Sequence, residues 1–408
     1  MSSGQGSAAG DRRASAAISP RVVFITRRFW PLVGGAETMV ANLSAALVAR
    51  GARATIVTAR WQSNWPATFS HCGVPVARLL HPPLRIWGTL RYMRELAAWL
   101  RGHRGEFDLA YVSQLKHDAY VAVRTGRRMG FPVVLRASGG GERGDCHWHT
   151  TGRCGMRIRR EVHRAAAVVA PSAAIRDELL AAGFSSSIVK LIPSGVRIGV
   201  RASPIRRRQA RSTIGTANAA MSLGPDTRLA VYLGRLHPGK GLANLISAWA
   251  QVAARQADTR LWLVGEGIEH AALVGQIDAL GLSGRVVLPG AFDNVEDVLA
   301  AADLFVLPSE SEGLSHALLE AMAAGLPVVA SDIPGNAQAI RDGVEGLLVS
   351  PGDTTALAAA IEKMFAEPAR AAEFGTVARR RVEEHFSLDR MVHSHLALFE
   401  RLLGAGQP

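Results

Sequence analysis

Two clusters in this 408-residue chain combine residue types and spacings that could do chemistry. The first is Gly234-Arg-Leu-His-Pro-Gly239-Lys240-Gly241. It nearly matches the phosphate loop G-x-x-x-x-G-K-[S/T], in which backbone amides and a lysine cradle phosphates and a final hydroxyl holds magnesium. Gly241 has no hydroxyl, and the next strand, Leu261 to Val264, does not end in a metal-holding aspartate, so a nucleoside triphosphatase is not expected. The electrostatics remain: Arg235 and Lys240 flank the start of a helix from Leu242 to Val252, and a helix N-terminus with cations beside it suits a phosphate. Lys240 is one of four lysines against 43 arginines, so its presence runs against composition, although a chance surface charge is the plain alternative.

The second cluster is Pro308-Ser-Glu-Ser-Glu312-Gly313-Leu314-Ser315-His-Ala-Leu-Leu-Glu320, followed by Ala-Met-Ala-Ala-Gly. It comes directly after a strand, Leu304 to Val306, and leads into a helix from Ser315 to Ala324, with Gly313 allowing close backbone approach. Glu312 lies at the helix mouth and Glu320 eight residues on, a little over two turns along. Two carboxylates spaced in this way can meet hydroxyls at two places on one elongated ligand, such as a sugar and a ribose, with helix-start amides free for anionic oxygen between them. The same spacing also fits a capped amphipathic helix with exposed glutamates.

Two further signals carry plainer alternatives. Cys146-His-Trp-His149 and Cys154, beside Asp145, have the residue types of a zinc site but no recognised finger spacing, and an acceptor-side loop is the preferred reading. Arg85 to Arg101 forms a basic amphipathic helix in which Ile86, Leu90, Met93, Ala97 and Leu100 align near Trp87 and Trp99. Such a helix can lie on an anionic membrane, but the preferred reading is that its stripe packs on the first sheet, as in any amphipathic crossover helix.

The elements that must position these loops alternate regularly. An apolar run at Val22 to Ile25, a loop with Pro31, Gly34 and Gly35, a helix from Glu37 to Arg50 and a strand from Ala54 to Thr58 make a βαβ unit. Strands at 109–112, 133–136, 166–170 and 189–192 continue a first α/β lobe, and those at 229–233, 261–264, 286–288, 304–306 and 328–330 build a second. The organisation expected is a disordered tail at 1–20, a first lobe at 21–197, a basic linker at 198–224, a second lobe at 225–385, and a C-terminal helix at 386–408 able to pack back on the first lobe. The fold class is therefore α/β, two Rossmann-like doubly wound lobes facing a cleft, with ligands at the carboxyl ends of the strands.

At 48% hydrophobic and 20% charged the body has a globular composition rather than a disordered one. The net charge of +13 is uneven: residues 1–211 carry +22 (33 basic against 11 acidic) and residues 212–408 carry −9 (14 against 23). Basic charge permits nucleic-acid binding, but no recognised module accompanies it, so no nucleic-acid partner is expected. Three cysteines suit a reducing compartment, and the chain has neither a secretory signal nor a spanning segment, which points to a cytoplasmic protein, with peripheral contact at an anionic membrane as the question left by the helix above.

These residues resemble the retaining glycosyltransferases of family 4, which have the GT-B fold. The resemblance rests on Pro31 to Glu37 (P-x-x-G-G-A-E), Ile192-Pro-Ser-Gly-Val196, Gly234-Arg-Leu-x-x-x-Lys240-Gly, Val264-Gly-Glu-Gly267 and, above all, the E-x7-E block from Glu312 to Glu320. It implies that Arg235 and Lys240 bind a donor diphosphate and stabilise it as leaving group, that Glu312 contacts the transferred sugar, and that Glu320 holds the nucleotide ribose. The amides of Gly313, Leu314 and Ser315 would lie near sugar and phosphate, Gly34 and Gly35 would bring the first lobe to the diphosphate, and the base would rest near Gly290 to Phe292. It further implies transfer of a hexosyl unit from a nucleotide sugar to an acceptor hydroxyl with retained configuration, without metal or cofactor. Where many members carry a histidine after the strand Val133 to Arg136, this chain has Ala137 or Ser138 and three glycines. Ser138 and His117 are therefore the acceptor-side candidates, His117 being equally readable as a solvated loop residue. The contrasting expectation is a sugar-nucleotide-binding relative without transferase activity, or another sugar-nucleotide-processing enzyme.

Overall fold

Strands such as Val133–Arg136 and Leu304–Leu307 are buried at every position, as expected where helices cover both faces of a parallel sheet. The computed structural model of the protein describes residues 19–32, 34–82, 84–141, 144–201, 203–292 and 294–404. The expected tail, 1–20, falls almost wholly outside the described residues.

The first lobe carries β1 (Arg21–Ile25), β2 (Arg53–Arg60), β3 (Thr68–His71), β4 (Val74–Leu80), β5 (Leu109–Val112), β6 (Val133–Arg136), β7 (Ala167–Ala170) and β8 (Val189–Leu191), in the spatial order β3-β4-β2-β1-β5-β6-β7-β8. All its pairings are parallel except β3 with β4, a hairpin that the periodicity did not reveal. The second lobe carries β9 (Arg228–Leu233), β10 (Thr259–Val264), β11 (Val286–Val287), β12 (Leu304–Leu307), β13 (Val328–Ser331) and β14 (Leu347–Val349), all parallel, in the order β11-β10-β9-β12-β13-β14. In each sheet the order reverses direction beside the first strand of the lobe, β1 or β9, and it is there that a doubly wound sheet opens a crevice.

One expected boundary shifts. Residues 198–224 do not form a bare linker: Pro204–Ala217 is a helix capped by Ser203, whose hydroxyl accepts from Arg206 N, and Ala210 and Ile214 are buried in the core of the second lobe. The arginines that marked the segment as a linker are its outer face, and two of them turn inward, Arg207 and Arg211, both to Asp303 at 3.0 and 2.7 Å. Part of the +22 is thus neutralised within the second lobe.

The C-terminal helix, Leu388–Gly404, packs on the first lobe. Val196 N donates to Phe386 O at 2.9 Å and Leu388 N to Val196 O at 2.8 Å, so the returning chain runs beside the outgoing one. Leu388, Met391, Val392, Leu398 and Phe399 then share a core with Val40, Leu43 and Leu47 of the helix Gly35–Val48. Within it, His395 Nδ1 donates to Met391 O (2.8 Å), which leaves Nε2 to accept the Tyr111 hydroxyl of β5 (3.1 Å).

Candidate functional site

The site is built from loops leaving the carboxyl ends of β9 and β12. After β9 the backbone turns at Gly234, and the Tyr232 hydroxyl donates to Arg235 O at 3.0 Å, fixing the start of the loop while the Arg235 side chain stays exposed. The loop is tied to its neighbour where Glu310 N donates to Gly239 O at 2.9 Å. Gly241 caps the helix Leu242–Arg255 with φ +68°, and a Cβ there would lie 2.1 Å from Pro308 O. The missing hydroxyl of the phosphate-loop pattern therefore has a physical cause: this position is left-handed and pressed against the β12 loop.

After β12 the loop delivers Glu312 to the cleft. Lys240 Nζ lies 2.6 Å from Glu312 Oε1, and the buried Ser309 hydroxyl donates to the same oxygen at 2.8 Å. The two charged groups singled out in separate motifs thus form one ion pair. Leu314 and Ser315 are buried, and the Ser315 hydroxyl accepts from Leu318 N at 3.4 Å to cap the helix His316–Ala323. Glu320 lies on that helix, where burial, reinforced by Glu296, pushes its carboxyl up to about 7. Gly313 packs closely on the first lobe: a Cβ there would stand 3.0 Å from Ile175 Cδ1 and 3.6 Å from Gly139 Cα. Gly290 turns with φ +88° and accepts from Gly265 N at 2.9 Å, next to the end of β10.

Across the cleft, Gly34 is the extended N-cap of the helix Gly35–Val48, and Glu37 folds back over it. Burial raises the Glu37 carboxyl, against the attraction of Arg28 and of Arg235 from the other lobe. A Cβ on Gly35 would lie 3.8 Å from His316 Cδ2. Two helix N-termini, Gly35 and His316, therefore face each other with Arg235 and Lys240 nearby. Such an arrangement concentrates positive potential where a diphosphate would lie and places carboxylates to either side for hydroxyls.

Sequence reasoning missed His316. It lies inside the E-x7-E block, is buried, and neither ring nitrogen has a hydrogen-bond partner. Burial, with Arg136 adding repulsion, pushes its pKa down to about 3, so the ring is neutral. Its type among Leu and Ala in a helix was the available signal. A second group missed by the sequence gathers beyond the carboxyl ends of β1 and β4. There Arg27 Nη2 donates to Thr89 Oγ1 at 2.7 Å and to His81 Nε2 at 3.0 Å. The Tyr92 hydroxyl donates to Asp118 Oδ2 at 3.4 Å, and burial pushes Asp118 up to about 6.

The acceptor-side candidates are positioned differently from the expectation. Ser138 is engaged locally, its amide and hydroxyl both donating to Asp145 Oδ2 at 2.7 and 3.0 Å. His117 is not a solvated loop residue: it opens the helix His117–Met129, meets Trp148 edge-on at 5.2 Å, and burial beside Arg27 and Lys116 pushes it down to about 4. The residues with zinc-site character form the helix Asp145–Thr151 and its flank, where His149 Nε2 donates to Leu115 O at 2.7 Å. Asp145 and His149 thus have structural work, and among the described residues no group of three or more His, Cys, Asp or Glu could hold a metal ion.

Two family models match the two lobes: one described as glycosyltransferase family 4 over residues 33–199, the other as glycosyl transferases group 1 over residues 227–367. The chain is 33% identical over 193 residues to the lipopolysaccharide core biosynthesis glycosyltransferase LpsD of Rhizobium meliloti, covering 47% of this chain and 55% of that protein. It is 34% identical over 176 residues to a D-inositol 3-phosphate glycosyltransferase of Rhodococcus opacus, covering 41% of this chain and 40% of that protein. The matches span about half the length of these relatives. Among solved structures, Anabaena HepE in complex with UDP and glucose superposes with a TM-score of 0.76 at 23% identity, covering 93% of this chain and 99% of that one. Sucrose-phosphate synthase from Thermosynechococcus elongatus superposes at 0.81, again at 23% identity, covering 95% and 100%. At that identity the likeness establishes the architecture: two Rossmann-like lobes in the GT-B arrangement.

Proposed function

Because this chain belongs to the family 4 glycosyltransferases, we propose that it transfers a hexosyl unit from a nucleotide-diphosphate sugar to an acceptor hydroxyl with retention of anomeric configuration. The observation that carries this reading is the Lys240–Glu312 pair at the mouth of the helix that bears Glu320, opposite the first-lobe helix at Gly35. Arg235 and Lys240 are the catalytic cations: they take up the charge that develops on the departing diphosphate, assisted by the two helix N-termini. Stabilisation of this kind, preorganised where charge develops, is worth several kcal/mol, roughly 2.7–4 for one donor. Glu312 accepts hydroxyls of the transferred sugar, and Lys240, already beside it, links sugar recognition to the leaving group. Glu320 accepts from the ribose. The departing phosphate takes the acceptor proton, so no protein nucleophile is required, and the cations and helix ends do the work that a metal would otherwise do.

HepE was crystallised with UDP and with UDP-glucose, which supports a uridine nucleotide as the first donor to test. Cys72, Cys146 and Cys154 are all unpaired, which suits a reducing, cytoplasmic setting. Incubation with UDP-, GDP- and ADP-hexoses, following nucleotide release and assigning the product anomer by NMR, tests the proposal. Nucleotide binding without release against any acceptor would favour a binding protein, and an inverted product would overturn the retaining assignment. Glu312→Ala should abolish transfer while leaving nucleotide binding largely intact.

A further inference from the structure

The basic amphipathic helix Arg85–Gly102 does not bury its apolar stripe along its whole length. Its C-terminal two-thirds does so: Tyr92, Leu96 and Leu100 are fully buried in the first-lobe core, with Met93, Ala97 and Trp99 packed against them. Its first turns do not. Ile86, Trp87 and Leu90, together with Leu84 just before the helix and Leu80 at the end of β4, are between 42 and 70% exposed, Trp87 the most. These are five of the sixteen exposed large hydrophobic residues among the described residues, gathered within eleven positions. Isolated exposed apolar side chains need no explanation, but a contiguous group with a polar rim marks an interaction site. Gly88 fixes the ridge in place, because it packs so tightly on the preceding loop that a Cβ would lie 2.1 Å from Pro82 O.

The charge around the ridge selects the partner. The one acidic residue between positions 51 and 100, Glu95, has its carboxylate held by Arg91 at 2.9 Å, and Arg60 lies in register with Leu80 at the ridge. Arg91 and Arg94 are exposed on the same helix. A cavity of about 540 Å³ adjoins the ridge, shares Leu80 and Arg91 with it, and is otherwise lined by residues that include Arg60, Trp61 and His81. A surface that offers phosphate charge outermost and hydrocarbon beneath matches this order of groups: arginines meet the headgroups while Trp87, Ile86 and the leucines enter the layer below. No helix among the described residues is long and apolar enough to cross a membrane, so contact of this kind would be peripheral.

We propose that the ridge Leu80, Leu84, Ile86, Trp87 and Leu90, with its arginine rim, docks the first lobe on an anionic lipid bilayer. Docking needs neither donor nor acceptor, so it stands or falls separately from the transferase reaction. The test is flotation of the full chain with phosphatidylcholine vesicles, with and without phosphatidylglycerol. Binding is expected only to the phosphatidylglycerol vesicles, weakened but not abolished by salt. The double variant Ile86→Ser/Trp87→Ser is expected to bind about tenfold or more weakly, with unchanged thermal unfolding and unchanged nucleotide release in solution. Failure to float with either vesicle, equal flotation of the double variant, or complete loss in moderate salt would overturn the proposal. So would a wild-type dimer that the double variant converts to monomer, since the ridge would then be a contact between copies.

Discussion

Lys240 and Glu312, drawn from loops 72 residues apart in sequence, meet as an ion pair at 2.6 Å, with both side chains largely shielded from solvent. Each holds the other in the cleft, so the two should act as a unit. Lys240→Ala is expected to lower kcat/KM for the donor by about 10²–10³, and Glu312→Gln to lower it comparably. Their effects should not add, and the double variant should fall well short of the product. Additive losses in steady-state nucleotide release would contradict coupled roles.

Glu320 is expected to make nucleotide affinity sensitive to pH. Its carboxyl is pushed up to about 7 by burial and then by Glu296. The folded state thus binds a proton that the unfolded chain releases near pH 4.3, so this group's contribution falls as pH rises from about 4.3 through 7, by on the order of 3 kcal/mol. Glu320→Gln should raise Tm above pH 7 and change it little below pH 5. In the proposed role the ionised carboxylate accepts from ribose, so nucleotide binding should tighten as pH rises through 7 in the parent and stay flat in Glu320→Gln, by calorimetric titration.

Buried neutral histidines act in the opposite sense. Burial pushes His316 to about 3 and His395 to about 4. The unfolded chain takes up protons near pH 6.5 that the folded state refuses. Stability from these groups is therefore complete above pH 6.5 and is lost as pH falls through 4 toward 3. Scanning calorimetry should show Tm falling steeply below pH 6. His316→Leu removes two unpartnered nitrogens and should leave Tm at pH 7 equal or higher, with a shallower acid slope. An unchanged slope would mean that the ring titrates freely.

Asp303 joins the helix Pro204–Ala217 to the second sheet through Arg207, Arg211 and the amide of Leu229. Asp303→Ala leaves two partly buried guanidinium groups without their counter-charge and should cost about 3 kcal/mol, visible as a lower urea midpoint. If the segment were a bare linker, the midpoint would not move.

Gly241→Ser would complete the phosphate-loop pattern, yet no gain of nucleoside triphosphatase activity is expected. A side chain at φ +68° costs about 1–2 kcal/mol, before counting the contact with Pro308 O at 2.1 Å. Lower Tm together with weaker donor binding is the expected outcome, measured by thermal shift.

The alternation of apolar runs with helical stretches determined by itself that the chain forms two α/β lobes, because parallel strands buried on both faces leave no other pattern. Residue type and local spacing likewise singled out Arg235, Lys240 and Glu312 as candidates in loops that follow strands, and Glu320 as a candidate further along the helix after β12. β3 and β14 escaped notice because they are short edge strands, half exposed, and β4 because its buried positions alternate with exposed ones instead of forming a continuous apolar run. The helix Pro204–Ala217 was hidden by its arginines, which mark a linker in sequence and a salt-bridged face in space. Only the tertiary structure decided that Lys240 pairs with Glu312, that Gly35 faces His316, and that one amphipathic stripe is core along most of its length and open surface in its first turns. Those relationships join segments far apart in the chain, and side-chain periodicity reports which face of an element is apolar, not what that face meets.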